Sequence, residues 1–455
     1  MRLRLSRPAP AAPNPAGSRV PPGGTRGTPV IRRGALPAAL SGATLAGPRA
    51  AILAGLCVAM FAGPLVTIPT AFLVTSLAGL FVATLQNPAS AQTLPDDELQ
   101  VICNGYFDSF QVNVLYPTVS VRRRVSASTS LSGSYLVDLI SAASMRSRFE
   151  VEGVTSATQR GHGGEDRSPD EVRHEMSLGA SHLLGPGTVA ANLFYSTEAD
   201  YTSKTVAASA SYPFAERSTD LQIGIVRSWE EVHPRTRYWR RDKNATTLST
   251  RVTQVLTRKL IGQLDFSYMD MSGLLSDPYQ VVTIVDPDRE ESVNFEPRHP
   301  DHRARRALGV RANYKLTAPS SLRLGYRYYW DTWGVESNTW SGLFQQHFLG
   351  RRITVGLGIR SYQQTSAFFF RPVYTEPEKY MTVDSKLDSS HSLEYQFRLQ
   401  VSGSLVSWLP GPDGDDVDLT TTASYYRRHT VTADWHSRRK ILDAIITSLG
   451  YRYRF

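Results

Sequence analysis

The residues from Ile441 to Phe455 sort two chemistries by parity: Ile445, Leu449, Tyr451, Tyr453 and Phe455 fall on one, Ser448, Gly450, Arg452 and Arg454 on the other. A period of two is the side-chain repeat of a β-strand. A strand with one apolar row and one polar row has to lie between an apolar medium and water. The alternation recurs: Leu322, Leu324, Tyr326, Tyr328 and Trp330 interleave with Arg323, Gly325, Arg327, Tyr329 and Asp331. In the same way Leu264, Phe266 and Tyr268 oppose Gln263, Asp265 and Ser267, and Ile353, Val355, Leu357 and Ile359 oppose Thr354, Gly356, Gly358 and Arg360.

The chain divides near Ala91. Residues 1–91 hold eight Arg, no Lys and no acidic residue, with a Pro/Gly/Ala-rich start through Pro48 and an apolar run from Ala50 to Leu85. Ala89-Ser90-Ala91 fits a small-residue cleavage site, so residues 1–91 are expected to be a leader with a signal peptide and 92–455 the mature protein. A retained membrane helix is the rival reading of the apolar run, which Pro64 and Pro69 interrupt. Without the leader's eight arginines the balance is 42 basic to 41 acidic side chains, so the chain's charge of +9 is a property of the leader. Nothing in that balance supports a nucleic-acid partner. Cys57 falls in the leader, which leaves Cys103 without an intramolecular disulfide partner and excludes a thiolate zinc cluster.

No apolar stretch beyond Ala91 is long enough for a spanning helix. Instead, sixteen alternating segments fit between Leu99 and Phe455. They are Leu99–Asp108, Gln111–Val125, Thr129–Ile140, Val172–Leu184, Thr188–Asp200, Ser203–Tyr212, Thr219–Glu231 and Asn244–Leu256, then Leu260–Asp270, Ala304–Leu316, Ser320–Asp331, Ser337–Phe348, Ile353–Ser366, His391–Ser407, Val417–Thr430 and Ile441–Phe455. The first is the weakest pattern and is needed to make the number even. Short connections at Gly185-Pro186-Gly187, Thr257–Lys259, Thr317–Pro319 and Leu349–Arg352 alternate in phase with long polar ones at Ser141–Glu171, Val232–Lys243, Met271–Arg303 and Ala367–Ser390.

Together these features predict an all-β fold: a transmembrane antiparallel up-and-down β-barrel of about sixteen strands, with both ends and the short turns in the periplasm. Trp330 and Trp340 would form an upper aromatic girdle, and Tyr314, Phe348, Tyr451, Tyr453 and Phe455 a lower one. A soluble sandwich shares the period but accounts for neither the terminal Phe nor the loop asymmetry. In outer-membrane barrels a terminal aromatic resembles an assembly signal, which assigns that role to Tyr451, Tyr453 and Phe455 and a place in the bacterial outer membrane to the chain.

The register turns Arg122, Arg124, Arg311, Lys315, Arg323, Arg327, Arg360, Arg398, Arg452 and Arg454 into the lumen, against Glu175, Asp265, Asp331 and Glu394. A basic interior lowers the barrier to anions. The structural alternative is that these arginines pair with the acids and stiffen the wall. A one-residue slip would reverse a whole face. Ala367-Phe368-Phe369-Phe370 is a candidate constriction, and Ser141–Glu171 a candidate plug.

No nucleophile elbow, His-Glu-x-x-His or phosphate loop occurs, so the chain does not read as an enzyme and implies no cofactor. His299 and His302 flank Asp301 without a third metal ligand. The acidic groups Asp286, Asp288, Glu290, Glu291 and Asp413, Asp415, Asp416, Asp418 lack calcium-loop spacing and read as solvated connections. Asn244-Ala-Thr246 matches a glycosylation triplet but reads as the start of a strand.

Three motifs carry a family resemblance. They are Arg323-Leu-Gly-Tyr-Arg-Tyr-Tyr-Trp-Asp331-Thr-Trp-Gly334, Ile359-Arg360-Ser-Tyr362-Gln-Gln364-Thr-Ser-Ala367-Phe368-Phe369 and, earlier, Tyr135-Leu-Val-Asp138-Leu-Ile-Ser141-Ala-Ala-Ser144. They resemble, in order and over nearly all of residues 99–455, the bacterial domain-of-unknown-function 3570 family of predicted outer-membrane β-barrel proteins. The resemblance implies the barrel and no activity. Where that family often has a His after the Ser, Asn338 follows Ser337 here, so no proton or metal role carries over.

The expected function is a passive or gated channel for small polar solutes, anionic ones among them, with Arg311, Arg323, Arg327, Asp331, Arg360, Tyr362, Arg398 and Arg452 as pore candidates. For Arg327, Asp331 and Tyr362 a wall-stiffening hydrogen-bonded layer is the competing role, and the preferred one. The alternatives for the whole chain are a closed structural barrel whose loops bind partners and an outer-membrane hydrolase, which lacks a motif. Expected partners are outer-membrane lipid, the barrel-assembly machinery and periplasmic chaperones.

Overall fold

A computed structural model of the chain describes residues 94–109, 112–142, 171–235, 237–286, 291–406, 416–431 and 440–455. The leader, most of the 141–171 connection and the acidic residues Asp288, Glu290, Asp413 and Asp415 lie outside the described residues.

Eighteen strands follow one another: β1 (Glu98–Asp108), β2 (Val112–Arg124), β3 (Thr129–Ala142), β4 (Glu171–Leu184), β5 (Gly187–Glu198), β6 (Tyr201–Phe214), β7 (Thr219–Val232), β8 (Arg241–Thr257) and β9 (Leu260–Gly273). After these come β10 (Val282–Asp286), β11 (Glu291–Phe295), β12 (His302–Lys315), β13 (Ser320–Asp331), β14 (Glu336–Phe348), β15 (Ile353–Gln364), β16 (Ser390–Ser402), β17 (Val417–Thr430) and β18 (Ile441–Arg454). Sixteen of them form one closed barrel in which every strand pairs antiparallel with its neighbours, and β1 meets β18 to complete the ring. β10 and β11 form a separate hairpin inside the β9–β12 connection. That hairpin has no counterpart in the sequence reading, where two five-residue strands are submerged in one long polar loop.

Pairing fixes the faces. On β4, β13, β14 and β15 the outward rows include Leu178, Leu324, Trp340 and Leu357, exposed by 68, 52, 61 and 56%. A continuous apolar belt of this kind around a closed barrel is stable only against lipid. The fold is that of a transmembrane β-barrel. Tyr314, Phe348 and Phe455 lie exposed toward the short-turn end and Trp340 toward the other, whereas Tyr451, between Val101 of β1 and Leu419 of β17, is buried. Tyr451 therefore offers little surface to a lower girdle.

The inner face is not uniformly wet. Tyr106, Val112, Val114, Tyr426, Leu442 and Ala444 form a buried apolar cluster across β2, β1, β18 and β17. This explains why β1 is hard to read from sequence: its inner row of Glu98, Gln100, Asn104 and Asp108 is broken by Ile102 and Tyr106, which weakens the period against the outer Leu99, Val101 and Phe107.

Candidate functional site

Two constructions occupy the inner face and the long-loop rim. The first is a stripe of arginines on β12, β13, β15 and β16. Arg323 on β13 lies within electrostatic range of both Arg311 on β12 and Arg398 on β16. β13 and β16 are three places apart in the ring, so the repulsion between Arg323 and Arg398 acts through the interior. Arg327 is within range of Asp265, Tyr362 and Arg360. Register partners place Arg311 beside Gly325, and Arg327 beside Gly309. The glycines matter locally: a Cβ at Gly309 would strike the carboxylate of Asp265, so that carboxylate occupies the space between Arg251 and Arg327.

The structure divides the inward cations by partner. Arg122 pairs with Glu98 at 2.9 Å, Arg124 with Asp96 at 3.5 Å, Arg454 with Asp418, and Arg360 with Glu394 at 3.7 Å. Arg323 Nε donates to Asn313 Oδ1 at 2.8 Å. Among the described residues Arg311, Lys315, Arg327, Arg398 and Arg452 have no ion-pair partner. At the lower rim of β1, β2, β17 and β18 Arg122, Arg124 and Arg454 are thus neutralised, and Arg452 is not. The β12–β16 sector keeps a positive excess. Isolated guanidinium groups out of contact with carboxylates are tolerable only where water or a mobile anion reaches them.

Two further inner-face arginines were not legible. Arg251 sits in the Thr-rich stretch Thr246–Thr253, whose alternation is weak, and Arg305 lies in Arg303-Ala-Arg305-Arg306, where both parities carry charge. The pairing of Arg305 with Asp331 assigns it inward, and Arg306 instead stacks on Tyr268 outside. Counting back from Asp331 would have separated them.

The second construction is a folded cap built by the connections 274–301 and 365–389. Its keystone is Asp331, which the sequence places facing the lumen and the structure engages fully. Oδ2 accepts from Nε of Arg303 at 2.8 Å and from Arg303 Nη2, while Oδ1 accepts the N–H groups of Trp333 at 2.8 Å and Val335 at 3.1 Å. The Arg303 guanidinium lies 4.1 Å over the Trp333 ring, and Gly334 turns the chain at φ +78°. Trp333, Val335, Ala367, Phe369, Phe370 and Leu387 form a core, with His299 edge-on to Trp333 at 5.3 Å. Phe369 and Phe370 thus belong to the interior of the cap, and Phe368 alone of the three is exposed.

A second core joins the hairpin to the other connection through Val282, Ile284, Tyr374, Met381 and Val383. Gln364 Nε2 donates to the carbonyls of Lys386 at 2.9 Å and Asp388 at 2.6 Å, and Tyr362 donates to Gln364 at 2.6 Å. Tethers reach both flanks. The Tyr279 hydroxyl donates to Asp200 between β5 and β6, and Arg428 of β17 donates to Ser385 at 3.0 Å. His302 is turned outward to Asp270 at 2.8 Å, so His299 and His302 do not share a site. Asn338 accepts from Tyr326 at 2.6 Å on the outer face.

Burial sets unusual proton affinities in the cap: Asp277 is pushed up to about 6, and His299 is held down at about 4. A cleft of ≈ 740 Å³ at the rim is lined by Arg241, Asp242, Arg298, His299 and Asp301, among others.

Barrel, belt, arginine stripe and cap define a membrane-spanning barrel of the outer-membrane type. Residues 227–429 match the family described as "Protein of unknown function (DUF3570)", the one that the motifs at Arg323–Gly334 and Ile359–Phe369 resemble. The Tyr135–Ser144 motif lies outside that match, so the similarity is narrower than the motif reading implied.

No curated protein sequence matches the chain. Among solved structures it resembles a bacterial polysaccharide outer membrane secretin at TM-score 0.45 and 7% identity, over 79% of this chain and 98% of that one. It also resembles Pseudomonas aeruginosa OpdK with vanillate at 0.39 and 9%, over 80 and 100%. The siderophore receptor PirA of the same organism scores 0.38 at 13% identity, over 73% of this chain and 55% of its own.

Proposed function

We propose that the protein is an outer-membrane channel for small polar solutes in which the β12–β16 arginine stripe favours anions. The observation that carries this reading is the set Arg311, Arg327 and Arg398, inward-facing and without ion-pair partners among the described residues. Fixed cations along an aqueous passage lower the electrostatic barrier to anions and raise it to cations. Lipid around the belt, assembly machinery recognising Tyr453 and Phe455, and chaperones for the unpaired strands in transit follow from the same reading.

Reversal potentials across a planar bilayer in a KCl gradient test it. The wild-type protein is expected to prefer chloride, and the triple variant Arg311→Gln, Arg327→Gln, Arg398→Gln to lose that preference several-fold. Cation preference in the wild type, or no conductance, refutes the proposal.

A second reading, a closed barrel whose cap contacts partners, draws on the cores around Trp333 and Tyr374 and on the inner apolar cluster at β1 and β18. Liposome swelling separates the two, because a closed barrel admits no solute.

A further inference from the structure

The side of the interior facing the arginine stripe has the opposite character. β4 lies eight places from β14 in either direction around the sixteen-strand ring, and β14 is the strand between Arg327 on β13 and Arg360 on β15. On β3, β4 and β5 the inward row holds Asp138, Glu175 and Glu198, together with Arg173. Arg173 contacts Asp138 at 3.0 Å. Glu175 and Glu198 have no ion-pair partner among the described residues, although both feel Arg173. By formal charge the three carboxyls outnumber Arg173, and Asp200 and Arg235 near Glu198 offset one another.

Two buried polar atoms beside these carboxylates also lack a hydrogen bond among the described residues: Oγ of Ser196, the register partner of Glu175, and Oδ1 of Asp138. Ser196 is 3% exposed and Asp138 5%. An orphaned hydroxyl and a half-used carboxylate beside two unpaired carboxylates form an acceptor-rich corner suited to a multi-proton donor such as an ammonium group. The depths agree. Glu175 and Asp138 stand four residues inside the long-loop ends of β4 and β3, and Arg327 and Arg360 four residues inside those of β13 and β15.

We infer that the passage is selective for dipolar solutes: small zwitterions whose carboxylate faces Arg327, beside the Arg360–Glu394 pair, while their ammonium faces Glu175, Glu198 and Asp138. The inference rests on the channel reading and adds the substrate class. The stripe alone would favour any anion. Opposed walls of opposite sign additionally lower the energy of a solute carrying both charges, and they orient it across the lumen.

Four nearly isosteric solutes test this in proteoliposome swelling: lactamide (neutral), lactate (anion), alaninamide (cation) and alanine (zwitterion). Alanine is expected to enter several-fold faster than lactamide. In the double variant Glu175→Gln, Glu198→Gln the alanine-to-lactate ratio should fall several-fold while lactate entry persists. Alanine no faster than lactamide, or an unchanged alanine-to-lactate ratio in the variant, overturns the inference and leaves the channel intact. Entry of none of the four overturns the channel reading and this inference with it. Should the variant not assemble, the wild-type series still decides.

Discussion

Asp277 and His299 show how burial at single positions gives the cap opposed responses to acid. His299, packed on Trp333 and Phe369, titrates at about 4 rather than 6.5, so the opened cap takes up this proton first and stability falls as pH drops from about 6.5 to about 4. Asp277 titrates at about 6 rather than 3.8, so the folded cap takes up that proton first, and stability rises between about pH 6 and 4. The two contributions offset one another in the wild type. Asp277→Asn removes the favourable one, and the variant's cap should therefore open on acidification from pH 6.5 to 4 more than the wild type's. Amide hydrogen exchange of residues 274–301 measures this; equal protection at pH 4 in both proteins would contradict it. Neither shift was legible beforehand, because His299 reads as half of an exposed pair and becomes half-buried only through Trp333 and Phe369, distant in sequence.

At the level of elements, the strands that read most clearly are those with one apolar row: β13, read as Ser320–Asp331, has those bounds, and β15 begins at Ile353 as read. The cap was opaque for a physical reason. Its cores come from three separated stretches around Val282, Trp333 and Phe369, and no local period marks a core assembled from such distant pieces. Asp331 illustrates the difference. Alternation places it inward, but only the structure reveals that Arg303 and the turn after β13 consume its acceptors. The Arg303 and Asp331 side chains are 8 and 0% exposed. Asp331→Ala leaves Arg303 buried without its counter-ion and should cost about 3–5 kcal/mol. The loss should concentrate in the cap, as protease sensitivity within residues 274–301 and 365–389 with the barrel still heat-modifiable on gels. A loss spread evenly over β1–β18 would instead make Asp331 a wall residue.

For the molecule as a whole, the contacts of Phe455 allow its share of stability to be measured apart from the proposed assembly role. Phe455 packs 5.7 Å from Tyr453, lies 5.7 Å beneath the Arg123 guanidinium and donates its N–H to the Asp97 carbonyl at 3.1 Å. It remains 49% exposed. Its removal should therefore lower the stability of the finished barrel by only about 1 kcal/mol. If it is read during assembly, deletion should nevertheless cut the amount of folded protein in the outer membrane far more than that. Comparing the urea midpoint of purified variant with its yield in membranes decides between them; yield falling only in proportion to stability would remove the assembly role.

The seam between β1 and β18 has a kinetic consequence. Glu98 pairs with Arg454 and Asp108 with Ala444, so the first strand to leave the ribosome finds its partner only when the last has arrived. Until then β1 is an open edge whose outer face carries Leu99, Val101 and Phe107 and whose inner face adds Ile102 and Tyr106 among polar neighbours. Such an edge is a template for pairing with the wrong chain. Closing the ring also joins contacts of near-maximal sequence separation, which slows folding and prolongs the hazard. The residues that make β1 hard to recognise as a strand are those that make its waiting time dangerous.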